Sequence, residues 1–387
     1  MKDVIRFPAI HRRPIALLIA LWSGPAVAAT TFTVNMTSDA KDRKITDSVC
    51  DTSRKRGKQC TLRAAIEESN DTSGADTINF NIGGTASVKT INVGSSGLGA
   101  LPDITEAVTI NGYTQSGASA NTNDLSQGSN AVLKIQVNGI NAGTFSDGLL
   151  ITASNSTIKA LVINRFFDNG VQIDGSGATG NKVEGNRIGT KADGSSGLGN
   201  TGDGVIISAG ASNNTIGGAT SAAGNAISNN GADGVSISSG TGNRVFSNFI
   251  FSNTGLGIYL FPEGVTANDT DDPDTGANNL QNFPVITSAI RSNSTNFTTI
   301  SGTLNSNPSQ NYTIQCFVAV PDPSGNGEGQ IPAGADTTVT TDTGGDGSFA
   351  CVSPVPQAGQ TVTATATNTA SGDTSEFSQN VGVVAVP

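Results

Sequence analysis

The chain has 387 residues, a formal net charge of −10, and 48 glycines. Charged residues are only 13% of the total, about half the usual share. That composition excludes helical bundles and coiled coils, which need many Glu, Lys, Ala and Leu at helical spacing. It suits tightly turned β-structure.

The first segment reads as a leader. Lys2, Arg6, Arg12 and Arg13 precede an apolar run over residues 15–22, followed by Gly24-Pro25 and the small-residue site Ala26-Val27-Ala28. This is the pattern of a secretory signal peptide over residues 1–29. The apolar run falls well short of the roughly 20 residues a membrane span needs, so no span is expected in the mature chain, which should be secreted or held at the cell surface. His11 and Trp22, the single histidine and single tryptophan, leave with the leader. Without imidazole the mature chain can build neither a Ser-His-Asp nor a Cys-His site, nor a histidine-ligated zinc. Losing those four bases and Asp3 leaves 17 basic and 30 acidic residues, a net charge of −13, which argues against nucleic acid as a partner.

Residues 30–83 read as an N-terminal cap region. Cys50 and Cys60, with Cys316 and Cys351 far downstream, make an even number in an exported chain. Two disulfides are expected, Cys50–Cys60 and Cys316–Cys351, out of three possible connectivities. Residues 61–70 form the one amphipathic helical pattern, with Leu62, Ala65 and Ile66 on one face and Thr61 as cap. Arg54, Lys55, Arg56 and Lys58 form a basic tip between the first two cysteines, either a solvated loop or a grip for an acidic polymer.

Residues 84–267 read as a parallel β-helix, and between about Asp147 and Leu260 the sequence repeats. Asp147-Gly, Asn169-Gly, Asp203-Gly and Asp233-Gly each precede alternating apolar residues, and Leu256-Gly is a weaker copy. Spacings near 22 residues, with insertions, are a solenoid period. Each Asx-Gly pair is expected to turn a tight corner through left-handed backbone. Val171, Val205 and Val235 should stack as one inward column. Asn186 and Asn248 are expected in an internal amide ladder. The architecture predicted is all-β: a right-handed parallel β-helix with an N-terminal cap helix. An acidic linker over residues 268–283 and a small β-sandwich over residues 284–387 should follow.

Several motifs carry a family resemblance. Cys60-Thr-Leu-Arg-Ala-Ala-Ile resembles the C-S-L-R-E-A-I signature of bacterial CSLREA-domain proteins. Leu101-Pro-Asp-Ile-Thr, Val108-Thr-Ile-Asn-Gly-Tyr, the stretch from Ile188-Gly-Thr to Leu198-Gly-Asn and Asn279-Leu-Gln-Asn-Phe-Pro-Val also match. The resemblance implies a secreted right-handed β-helix of the pectate-lyase kind, often with a C-terminal sandwich, and no established activity. Ala64 stands where the signature has glutamate.

A β-helix wall can hold an extended polysaccharide, but fold alone does not fix function. The basic candidates on the repeat are Arg165, Lys182, Arg187, Lys191 and Arg244; a lyase would draw its base from such a set, whereas the plain reading is solvated ladder charge. Lys182 and Arg244 should sit two coils apart with Thr215 between them, and Lys159 should pair with Glu184. Asp203 and Asp233 should be neighbours, able to raise a pKa or bind Ca²⁺. Asp269, Asp271, Asp272 and Asp274 are the main metal candidates, for Ca²⁺ as a possible cofactor. The leading expectation is a non-catalytic surface protein that binds polysaccharide or a cell-surface glycan. The alternatives are a Ca²⁺-assisted lyase, favoured over a carboxylate-pair hydrolase, and an architectural spacer.

Overall fold

The computed structural model describes residues 29–262 and 264–387. The expected leader, except for its last residue, lies outside the described residues. Strands dominate, and they fall into three parallel sheets followed by an antiparallel pair.

From Val108–Asn111 to Ile258–Leu260 the chain visits the three parallel sheets in rotation, and each full circuit is one rung; the circuit before it touches the third sheet only through the Ile104–Ile151 bridge. The first sheet runs from Thr31–Val34 to Arg244–Phe246, the second from Lys89–Asn92 to Phe249–Phe251, the third from Leu149–Ile151 to Ile258–Leu260. Strand alternation sends every second side chain inward. Val171, Val205 and Val235 are in register in the third sheet, as are Ile173, Ile207 and Ile237. All six are fully buried in one continuous core. The expected column is present.

The corner glycines differ from expectation. Gly170, Gly204 and Gly234 do not adopt positive φ, and neither do the Asx residues before them. Crowding explains them instead. A Cβ on Gly204 would lie 2.3 Å from Ile227 Cγ2 and 2.6 Å from the carbonyl oxygen of Gly234. Rungs approach so closely here that only hydrogen fits.

Buried amides bind rung to rung. In one ladder the side-chain oxygen of Asn225 accepts the Asn186 backbone N–H (2.9 Å), and that of Asn248 accepts the Asn225 N–H (3.0 Å). A second ladder runs through Asn181, Asn214, Asn243 and Asn278, and a third through Asn200, Asn230 and Asn253. Each satisfies backbone donors where the strands break, so the interior stays paired.

At the N-terminal end, the helix Leu62–Asp71 lies against the strands Thr31–Val34 and Asp76–Phe80. Thr61 caps it by accepting the Ala64 N–H at 3.1 Å. Cys50 and Cys60 are bonded just ahead of it. Arg63 forms a buried bidentate pair with Asp39, both contacts 2.9 Å. Its guanidinium also donates to the carbonyls of Gly99 (2.8 Å) and Ala100 (2.6 Å).

The C-terminal unit has two antiparallel layers. One orders Asp346–Ser353, Thr298–Asn305, Val285–Ser292 and Val384–Val386, the last joining in parallel. The other is built on Asn311–Val320 and Thr361–Asn368. The Cys316–Cys351 disulfide joins the two layers. This unit also closes the open end of the rungs. Gln315 accepts the Ser247 N–H (2.9 Å), Thr374 the Val245 N–H (3.1 Å), and Glu376 the Leu260 N–H (3.0 Å). Glu328 takes the N–H groups of Ser252 and Asn253 and the Asn253 amide, which ends the third ladder. Without these acceptors the last strands would present a bare sheet edge.

Candidate functional site

The wall bases divide into separate groups. Register places Lys182, Thr215 and Arg244 side by side on the outer face of the first sheet. They line a cleft of about 450 Å³ whose other side is the C-terminal unit, through Thr313, Thr367 and Thr369. Gly217 keeps its wall flat: its φ is +92°, and a Cβ would lie 2.0 Å from the carbonyl oxygen of Phe246. Among the described residues Glu184 is the one carboxylate lining the cleft, and it pairs with Lys159 at 3.8 Å as expected. Among the described residues Lys182 and Arg244 form no ion pair.

Arg187 is a correction. It is not a free wall charge: its guanidinium donates to the carbonyls of Ala192 and Ala131 (3.1 Å to the latter), bracing the insertion that follows it. Burial pulls its pKa below the usual arginine value, against the charge of Asp193. Arg165 and Lys191 are exposed and lie outside the cleft.

The corner acids are structural. Asp147 Oδ1 accepts the Asn169 N–H (3.0 Å), Asn169 the Asp203 N–H (2.8 Å), and Asp203 the Asp233 N–H (2.8 Å). Burial, opposed by that hydrogen bond and reinforced by the charge of Asp233, pushes Asp203 up to about 7. They form no three-carboxylate cluster of metal-binding spacing.

The acidic linker supplies such a cluster. Asp269, Asp272 and Asp274 bring carboxylate oxygens within 4.8 Å of one another. Asp271 stands apart from that set, its N–H donating to Asn305 at 2.8 Å. The Gln281-Asn282 pair organises the group. Gln281 donates to Asp272 (2.7 Å), while Asn282 accepts the Asp269 N–H (3.1 Å) and donates back to its carbonyl (2.8 Å). Burial first, then the charges of Asp274 and Asp269, raise Asp272 to about 6. Oδ1 atoms of Asp269 and Asp274 are buried without a partner. Clustered hard oxygens, some of them unpartnered, fit Ca²⁺. A second cleft of about 520 Å³ lies beside Asp272 and Asp274 and shares no lining residue with the basic one.

Sequence reasoning missed the C-terminal half of the basic cleft. Thr313, Thr367 and Thr369 become part of it only through the docking of the two units, which no local pattern encodes. It also missed Asp39 as the partner of Arg63. No protein-family model and no curated protein matches the chain. Among the described residues no helix is long and apolar enough to cross a membrane.

Proposed function

We propose that this is a secreted right-handed parallel β-helix protein of the CSLREA type, closed by its sandwich, that binds acidic glycans at a cell surface without turning them over. The observation that carries this reading is the Lys182–Thr215–Arg244 column facing a cleft with two unpaired positive charges. Neighbouring strands are about 4.8 Å apart, so the two bases stand roughly 10 Å apart. An extended acidic saccharide lying across the strands meets the two cations with the Thr215 hydroxyl between them. The cleft lacks the carboxylate pair that glycoside hydrolysis needs. Asp272 and Asp274 line the other cleft, so a Ca²⁺ there would stiffen the joint rather than activate a lyase base.

The test is a panel of acidic and neutral polysaccharides with purified mature chain, with and without Ca²⁺. Retention of acidic polymers without product is expected. A charge-assisted contact is worth about 1.5–3 kcal/mol, so Lys182→Ala and Arg244→Ala should each weaken binding by at least tenfold. Unsaturated products would replace this reading with a lyase, new reducing ends with a hydrolase, and no retention with a spacer.

A further inference from the structure

The N-terminal helix holds a carboxylate with no neutralising partner. Glu68 is fully buried, and neither Oε1 nor Oε2 accepts a hydrogen bond of normal geometry, although the Ser48 N–H lies close enough to favour the charged form. The buried hydroxyl of Ser69 beside it is also unpartnered. The charged groups that act on Glu68 are all acidic: Asp42, Asp47 and Asp71. Arg63 is engaged with Asp39 at 2.9 Å and Lys44 with Asp47 at 3.6 Å, while Lys41 acts on the neighbouring Glu67.

The segment over residues 42–51 is tied down beside the helix. Asp42 accepts the N–H groups of Lys44 and Asp51, both at 2.9 Å, and its own N–H donates to Glu67 at 2.6 Å. The Cys50–Cys60 bond fixes its far end. Within it Thr46 and Ser48 take φ of +95° and +56°, a backbone region that a β-branched residue rarely enters. A strained segment next to an unpaired buried carboxylate calls for a compensating interaction. A proton on Glu68 would remove the charge but leave its O–H without an acceptor.

We infer that Glu68 anchors a second cation site, for a hard divalent ion such as Ca²⁺, enclosed between the helix Leu62–Asp71 and the segment over residues 42–51. The three-carboxylate cluster of metal-binding spacing lies at the linker, so Glu68 supplies the one direct carboxylate here. Backbone oxygens and water complete the shell, and Asp42, Asp47 and Asp71 add negative potential around it. Such a mixed oxygen shell suits Ca²⁺, which tolerates irregular coordination.

Equilibrium dialysis of the mature chain against Ca²⁺ tests this independently of any glycan. An Asp272→Asn/Asp274→Asn background removes the linker cluster and should still bind one Ca²⁺ per chain. Adding Glu68→Gln should abolish that ion, and adding Asp71→Asn, at an exposed position, should weaken it several-fold without disturbing the fold. A background that binds no Ca²⁺ would overturn the site. So would a folded Glu68→Gln chain that binds it undiminished or, should that variant not fold, an unchanged affinity in Asp71→Asn.

Discussion

Replacing Asn225 with alanine is the sharpest test of how the rungs hold together. The amide donates to Val183 O (2.7 Å) and Asn248 Oδ1 (2.9 Å), and it accepts the backbone N–H (2.9 Å) and side-chain amide (3.0 Å) of Asn186. The Asn186 side chain keeps its bond to Ile158 O (2.9 Å), and Asn248 keeps the Asn225 N–H, so both stay partly satisfied. The Asn186 backbone N–H does not. Four bonds at about 1 kcal/mol each, with one donor stranded in a dry interior, cost about 4 kcal/mol. Urea unfolding should report that loss, and hydrogen exchange should quicken around residues 181–188. Gln172→Ala, which loses two 3.2–3.3 Å contacts on the outer face, should cost less than about 1 kcal/mol. If Asn225→Ala cost no more than Gln172→Ala, the amide ladder would not be a source of stability.

Gly204→Ala must push its new carbon against Ile227 and the Gly234 carbonyl, and should destabilise by about 1–3 kcal/mol in the same urea assay. Asp39→Asn leaves the buried Arg63 charge uncompensated and should cost about 3–5 kcal/mol, read as a fall in melting temperature. Burial, opposed by its hydrogen bonds, holds Glu376 up to about 7 and Asp203 likewise, so the folded state keeps protons that the unfolded chain releases from about pH 4 upwards. Stability should therefore be greatest on the acid side and decline as pH rises to about 7; calorimetry in EDTA should show that slope, and Glu376→Gln should flatten it. Calcium should raise the melting temperature over EDTA, and Asp272→Asn should shrink that gain.

What was legible in the sequence is what repeats locally. The apolar alternation after each Asx-Gly pair is enough to set the valine column, because period two and rung spacing leave one register that buries it. The Thr61 cap and the helix face of Leu62, Ala65 and Ile66 follow from neighbours within one turn. The corner glycines show the limit of that reasoning. Their presence was plain, but the cause lies in Ile227 and Gly234 of the next rung, and sequence distance hides that contact. Arg187 misled for a similar reason, since it was grouped with the other bases on the repeat while its partners, Ala131 and Ala192, sit in loops without any charge signature. The basic cleft was half visible: Lys182 and Arg244 announce themselves by register, whereas the opposing threonines depend on how a separate unit docks. Glu68 reads as an ordinary helix residue until its burial is known.

The closing contacts at the top of the rungs have an architectural consequence. Gln315, Glu328, Thr374 and Glu376 grip backbone N–H groups, which every rung presents whatever its side chains. Asn230 stands to Asn253 as Asn253 stands to Glu328, and the step from Asn230 to Asn253 is 23 residues. The lid is thus indifferent to how many storeys stand beneath it. Excising or duplicating one such step would change the height of the tower while leaving both terminal fittings intact.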